Sequence, residues 1–411
     1  MSATAQTVHR PTDATEIADA VRSAAASRKT LRIIGADTKT GFGRPAAADL
    51  TCDLSSLSGI TLLEPEELVM TARAGTRLAE IETALAGTGQ QLAFEPPDLG
   101  PLYGHPSGKQ TIGGVIACNL SGPRRVSAGA ARDHFLGLEA VTGHGEIIKA
   151  GGRVVKNVTG YDLCKLFAGS HGTLGILTSI TVKIMPVAQR HMTVIVKGLD
   201  DAAANALLRK VVNEPLEISG AAHLPAWAVS ETGVPDLVGL GTSATAMRLE
   251  GFAVSIDDRI KRLRRQLAGH ADIAVFDDDA CKRFWADLRV LGPAVRRPTD
   301  YVWRLSVPPA RGAEAVAAIQ RQLRADAYYD WSGGLIWCLL PALGGVCDEP
   351  IRRCVEAVGG HAVLMRAPDT LREQSPVFHP LSEAKAALVR RIKESFDPDG
   401  ICNPGRMYAG M

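Results

Sequence analysis

The chain has 411 residues, 46% of them apolar and 22% charged, and a net charge of +2; this suits a soluble globular protein of roughly two or three domains with a large core. The near-balanced charge gives no reason to expect nucleic acid as a partner, and neither an apolar leader nor a run of 18 apolar residues is present, so export and a membrane span are not expected. Its eight cysteines (Cys52, Cys118, Cys164, Cys281, Cys338, Cys347, Cys354 and Cys402) are scattered without a CxxC pair, which excludes a disulfide framework and argues against an iron–sulfur cluster held by this chain.

Asp13 and Glu16 have capping-box spacing, and Ile17, Val21 and Ala24 then share one face, so a helix is expected over 13–26. "LRIIGADTKTGFG" (31–43) reads as a short apolar strand running into a glycine-punctuated loop, and "ELVMTARAGT" (67–76) reads as a strand and turn. Thr76 is the expected cap of a helix that lines up Leu78, Ile81 and Leu85 and ends at Gly87. The Pro- and Gly-rich stretch 95–110 is loop. Two strands flank Gly143–Gly145, and 176–186 alternates so that Ile180, Val182 and Ile184 face one way until Pro186 stops the strand. A second region begins near 190. It holds strands at "HMTVIVKG", 300–309 and 333–341, and helices at 200–213, at Val316, Ile319 and Leu323, and at 382–396 with Leu388, Ile392 and Phe396. No internal repeat is visible. Helices and strands do not alternate as βαβ, so the expected class is α+β.

Glycines crowd the first half at Gly35–Gly43, Gly113–Gly114, Gly122–Gly129 and "GSHGTLGI" (169–176). Any one such segment is ordinarily a turn. Several beside strands form backbone N–H concavities suited to a pyrophosphate. They fit neither GxGxxG between strand and helix nor a Walker sequence.

The pieces "IIGADTKTGFG", "TIGGVIACNLSGPRR" (111–125), "SAGAARDHFLGLEAVTG" (127–143), "KNVTGYDLCKLFAGSHGTLGILTSITVKIMP" (156–186) and "FDPDGICNPGRM" (396–407) together resemble the PCMH-type FAD-binding domain of the vanillyl-alcohol oxidase superfamily. "EPPD", "VWRLSVPP" and "CNPGRMY" look like its branch of glycolate oxidase FAD-binding subunits. The resemblance implies two α+β subdomains with FAD between them over 1–188, an α+β cap with an antiparallel sheet over 189–385, and a helix and tail over 386–411 returning to the FAD domain. It implies pyrophosphate on Ile34, Gly35, Ala36, Asp37, Thr38 and Lys39, closed by Phe42 and Gly43. Thr111, Gly113 and Gly114 would approach the flavin, and Ser121, Gly129 and Ile176 would be further contacts. The loop carries no His or Cys, so non-covalent FAD is expected.

Lys39 either neutralises pyrophosphate or is a solvated lysine. Asn157, Tyr161, Asp162 and Lys165 either wall the site or form a buried supporting network. Arg304 is a candidate grip for a substrate carboxylate, with a structural ion pair as the plainer alternative. Trp331 and Trp337 are pocket walls or core. Related catalytic subunits carry metal motifs resembling GHxGDGNxH and GEHG. The stretches here, 328–337 and 359–368, keep only His361, so no metal site is expected.

The implied activity is hydride removal from the α-carbon of a small 2-hydroxy acid, glycolate by resemblance. The implied partners are a catalytic FAD subunit and an iron–sulfur subunit, and the implied location is cytoplasmic or peripheral to the inner membrane through those partners. The other reading is an FAD-loaded accessory subunit without substrate oxidation of its own.

Overall fold

A computed structural model describes residues 7–154, 160–270, 272–342 and 345–411. The chain divides into two compact units. Unit 1 comprises 1–120, 130–186 and 380–411, and unit 2 comprises 121–129 and 187–379.

The strands of unit 1 are β1 (Thr7–His9), β2 (Leu31–Ile34), β3 (Leu50–Asp53), β4 (Ile60–Glu64), β5 (Val69–Arg73), β6 (Gln90–Gln91), β7 (Phe135–Thr142), β8 (Ile147–Gly151), β9 (Gly175–Lys183) and β10 (Met185–Pro186). β1-β3-β2 form a parallel sheet, and β4-β5-β9-β7-β8 form an antiparallel one. The helix Ala14–Ala26 buries Ile17, Ala18, Val21 and Ala24 against Leu31, Cys52, Val141, Ile176 and the tail residues Ile401 and Cys402. Asp13 caps it through the Glu16 amide, but the Glu16 carboxylate accepts from the Thr12 amide and hydroxyl, one residue before the expected partner.

Other expectations shift in the same local way. The helix Leu78–Gly87 starts without a side-chain cap, because the Thr76 hydroxyl turns back to the carbonyls of Arg73 and Gly59. The helix ends at Gly87 as expected, and Gly89, at φ +69°, makes the left-handed turn after it. Ile180, Val182 and Ile184 are fully buried as their alternation requires. Pro186 does not simply end that run: Met185–Pro186 pair antiparallel with Gln90–Gln91.

Unit 2 is built on β11 (Arg190–Lys197), β12 (Ile218–Leu224), β13 (Ala244–Gly251), β14 (Ile273–Phe276), β15 (Tyr301–Ser306), β16 (Asp326–Asp330), β17 (Leu335–Leu340) and β18 (His361–Arg366). They form one antiparallel sheet in the order β14-β11-β13-β12-β16-β17-β15-β18. Helices Asp201–Val212 and Ala253–Gln266 follow β11 and β13, and helices Gly312–Gln320 and Asp348–Glu356 follow β15 and β17. Each half is therefore βαββαβ, with its strands in the order 4-1-3-2, and the halves meet second strand to second strand. This duplication is absent from the residue pattern: β11 reads RHMTVIVK and β15 reads YVWRLS. The seam is one pairing, His223 opposite Tyr329. Asp201 stitches it by accepting from the Tyr329 hydroxyl at 2.6 Å, and His223 Nδ1 lies 2.9 Å from the Thr245 hydroxyl. Leu323 falls beyond the helix Gly312–Gln320, while Val316 and Ile319 are buried in it.

Candidate functional site

The loop after β2 is held open by short, bare residues. A side chain on Gly35 would meet the Thr111 hydroxyl at 2.5 Å, and one on Gly41 would strike the Tyr103 ring at 2.2 Å. Asp37 sits at φ +54° and Gly43 at φ +110°, so the chain turns through the left-handed region towards each end of the loop. Across from it, Thr111 caps the helix Ile112–Ala117 by accepting from the Gly114 amide at 3.3 Å. The paired glycines there have separate roles. Gly113 is fully packed, since a methyl would lie 2.7 Å from the Ala74 carbonyl. Gly114 faces the Lys39 ammonium, 3.3 Å from where its Cβ would be.

Lys39 is the telling residue. Burial lowers its pKa, while Cys118 and Asp98 pull the other way, and the ammonium makes no hydrogen bond or ion pair among the described residues. A partly desolvated cation with no hydrogen-bonded anion, beside a glycine-bearing loop, fits an anion such as a pyrophosphate. Cys118 and His171 complete the wall with Sγ 3.6 Å from Nδ1, and Phe42 meets the His171 ring edge-on at 4.8 Å. Burial, then the Arg406 charge, pushes the His171 pKa down to about 3, so this imidazole is neutral at physiological pH.

A second cationic site lies within unit 2. Trp331, Ser332 and Gly333 are all left-handed, at φ +51°, +59° and +90°, and for a tryptophan this is a strained conformation. The strain is fixed by Asp330, which accepts from the Trp331 amide at 2.7 Å, and by the indole N–H, which donates to the Gly122 carbonyl at 2.9 Å. The indole so held carries two guanidiniums: Arg125 at 4.4 Å and Arg304 at 5.3 Å from its centroid. Burial, and then Arg125, push the Arg304 pKa down to about 10. The Arg304 guanidinium has no hydrogen bond or ion pair among the described residues, so the structural-pair alternative is not met. Arg125 is held in place by its neighbour: Arg124 forks onto Glu250 at 2.7, 3.0 and 3.3 Å. Burial opposes ionisation of Glu250, yet Arg248 and Arg124 keep its carboxyl well below the usual range.

The structure distributes the sequence candidates accordingly. Ile34, Gly35, Ala36, Asp37, Thr38, Lys39, Phe42, Gly43, Thr111, Gly113 and Gly114 all lie in unit 1, whereas Ser121 and Gly129 lie in the 121–129 segment that packs with unit 2. Ile176 is core, with 1% of its surface exposed. Tyr161 and Lys165 join neither site, nor a buried network. Tyr161 is 90% exposed, and Lys165 pairs at 3.0 Å with Asp162, which caps the helix Leu163–Phe167. Asn157 lies outside the described residues. Trp337 is buried in β17. His361 is not a core histidine: it is exposed at the start of β18 and stacks edge-on to His379 at 6.3 Å. No cluster of metal-ligating side chains occurs among the described residues. The residues that sequence reasoning passed over are Arg125, Glu250 and Arg406. Arg125 and Arg406 stood in quoted motifs, but only the fold reveals what they touch.

Comparison with known proteins shows the family. An FAD binding domain family matches residues 5–151, and the C-terminal domain of FAD linked oxidases matches 377–407. The glycolate oxidase subunit GlcE of Escherichia coli is 33% identical over 95% of this chain and 96% of its own length. The chain belongs to the GlcE family of FAD-linked oxidases. As a GlcE-family protein it is a flavoprotein oxidoreductase with FAD as its cofactor, as the sequence pieces implied. Glycolate oxidase subunit GlcD of Bacillus subtilis is 27% identical over 89% of the chain and 80% of its own. The α+β fold is shared with 4-ethylphenol oxidase from Gulosibacter chungangensis at a TM-score of 0.71, 16% identity, and 98% and 89% coverage. No helix among the described residues is long and apolar enough to cross a membrane.

With the FAD pyrophosphate against Lys39, cofactor affinity would depend on pH, because the charged ammonium attracts an anion and the neutral amine does not. The FAD dissociation constant is therefore expected to climb as pH rises, starting below the ordinary lysine value of 10.5. Titration of FAD fluorescence between neutral and alkaline pH checks this, and Lys39→Met should flatten the curve.

Proposed function

We propose that this chain is the FAD-carrying subunit of a complex that oxidises a small 2-hydroxy acid, with glycolate as the substrate, and that Arg304 grips the substrate carboxylate. The observation that carries this reading is the Arg304 guanidinium, desolvated on Trp331 and without an anionic partner among the described residues. A carboxylate matches that fork in charge and planar geometry. Lys39, the 35–43 loop and the Thr111–Gly114 turn hold the cofactor, which when bound supplies the two-electron acceptor for the C–H bond. The chain's own residues bind and orient. Arg304 fixes the carboxylate end, Arg125 adds positive charge beside it, and the strained Trp331 keeps both cations on a dry apolar plate. The names of the relatives, glycolate oxidase subunits GlcE and GlcD, support electron transfer onward to partner subunits.

One observation favours the accessory reading. Where related catalytic subunits carry metal histidines, 328–337 has none, and His361 points to solvent beside His379. The experiment is an anaerobic visible spectrum of the FAD-loaded chain before and after glycolate, alone and with its partner subunits. Bleaching by glycolate alone establishes a complete site. Bleaching only with partners makes the chain an electron-carrying subunit. A flavin that stays oxidised in both cases while dithionite reduces it overturns the proposal.

A further inference from the structure

The cofactor loop does not support itself. Its carbonyls are gathered by a residue far along the chain. Arg406 Nη2 donates to the carbonyls of Lys39 at 2.7 Å and Phe42 at 2.6 Å, and Nη1 donates to that of Arg44 at 3.3 Å. The Arg44 amide in turn donates to the Arg406 carbonyl at 2.9 Å. Gly43 lets the loop come this close, because a Cβ there would lie 2.8 Å from Arg406 Nε. Asn403 braces the base of the same loop. Its side chain accepts from the Ile33 amide and donates to the His171 carbonyl, both at 2.8 Å.

This arrangement has a geometric consequence. In a trans peptide the carbonyl of one residue and the N–H of the next point in opposite directions. Drawing the Lys39 and Phe42 carbonyls onto one guanidinium turns the amides of Thr40 and Gly43 away from the tail. A lone loop rich in Gly and Thr would sample many such orientations, and ordering it would be charged against ligand affinity.

We propose that Arg406 is a positioning residue that pre-sets the 39–44 loop for the FAD pyrophosphate, so that cofactor affinity is governed from the tail without Arg406 touching the cofactor. The inference rests on the loop being the pyrophosphate site. The planar fork, and not the charge alone, does the gathering, since its two terminal nitrogens reach the three carbonyls from fixed, separate positions.

The test compares FAD dissociation constants of wild type, Arg406→Ala, Arg406→Lys and Lys39→Met, by fluorescence of FAD added to the apoprotein. It is accompanied by apoprotein melting and by hydrogen exchange of peptides covering 34–44. Arg406→Ala should weaken FAD roughly tenfold to a hundredfold, as loss of charge-assisted hydrogen bonds implies, and Arg406→Lys should recover only part of this. Loop amides should exchange faster in both, with exchange elsewhere in unit 1 unchanged. Full affinity in a folded Arg406→Ala protein overturns the proposal. If the alanine variant does not fold, Arg406→Lys decides: wild-type affinity and loop exchange overturn it, and weakened affinity with a mobile loop supports it. If Lys39→Met also leaves affinity intact, the loop is not the pyrophosphate site. If only Lys39→Met weakens binding, the loop assignment stands and the role of Arg406 falls.

Discussion

Replacing Arg304 by methionine should weaken binding of a small carboxylate such as oxalate by roughly 10- to 150-fold, because a bidentate charged contact of about 1.5–3 kcal/mol is lost. The same change should make the unliganded protein more stable, by about 1 kcal/mol or more. The opposite signs follow from one fact. Arg304 is desolvated, lies close to Arg125, and has no compensating anion among the described residues. Methionine keeps the stem packed in the sheet while removing the penalty of a half-buried charge and the repulsion between the two cations. Isothermal titration with oxalate and a thermal melt of the same samples check both halves. A weaker binder that is also less stable would mean that Arg304 supports the fold instead of an anion. Arg304→Lys should bind at an intermediate level, since it keeps charge without the fork.

The second large effect is expected at Lys393. Its ammonium is buried against the Asp397 carboxylate and donates to the carbonyls of Thr173 at 2.7 Å and Cys402 at 3.2 Å. Asp397, fully buried, also accepts from the amides of Ile401 at 2.9 Å and Cys402 at 2.8 Å. Lys393→Met leaves that carboxylate without its cation in the protein interior and should cost about 3–5 kcal/mol in urea unfolding. Asp397→Asn in the same background should recover part of the loss, because the amide oxygen still accepts a backbone hydrogen bond and no charge remains stranded. A loss below about 1 kcal/mol would show that water reaches the pair.

This helix also illustrates what the sequence could and could not convey. Leu388, Ile392 and Phe396 repeat at helical spacing, and the helix Glu383–Phe396 forms there. Yet Leu388 is 54% exposed and the residue its inner face buries is Lys393. Local spacing reveals a helix. It does not reveal that Thr173 and Cys402, brought from elsewhere in the chain, supply acceptors for an ammonium. The helix Ala14–Ala26 was legible because its cap and its apolar face are all local. Thr76 was misjudged because a hydroxyl that can cap a helix can equally turn back to nearby carbonyls. Among the candidate residues, the glycine loop and Lys39 are proposals that residue type alone suggests. The clamp of Arg124 on Glu250 joins segments 126 residues apart and the hold on Trp331 joins segments 209 apart, and the duplicated sheet is preserved in topology while its residues differ.

The bracing of the cofactor loop by Arg406 sets an order of events during synthesis. Loop and brace are separated by 367 residues, and unit 2 lies almost wholly between them in the chain. A nascent chain emerging from the ribosome presents the loop first, then all of unit 2, and only afterwards the residue that orders the loop. Closing so long a stretch is slow compared with contacts inside either sheet. On the proposed role of Arg406, flavin capture follows docking of the tail, and yellow colour would mark the molecules in which it has docked.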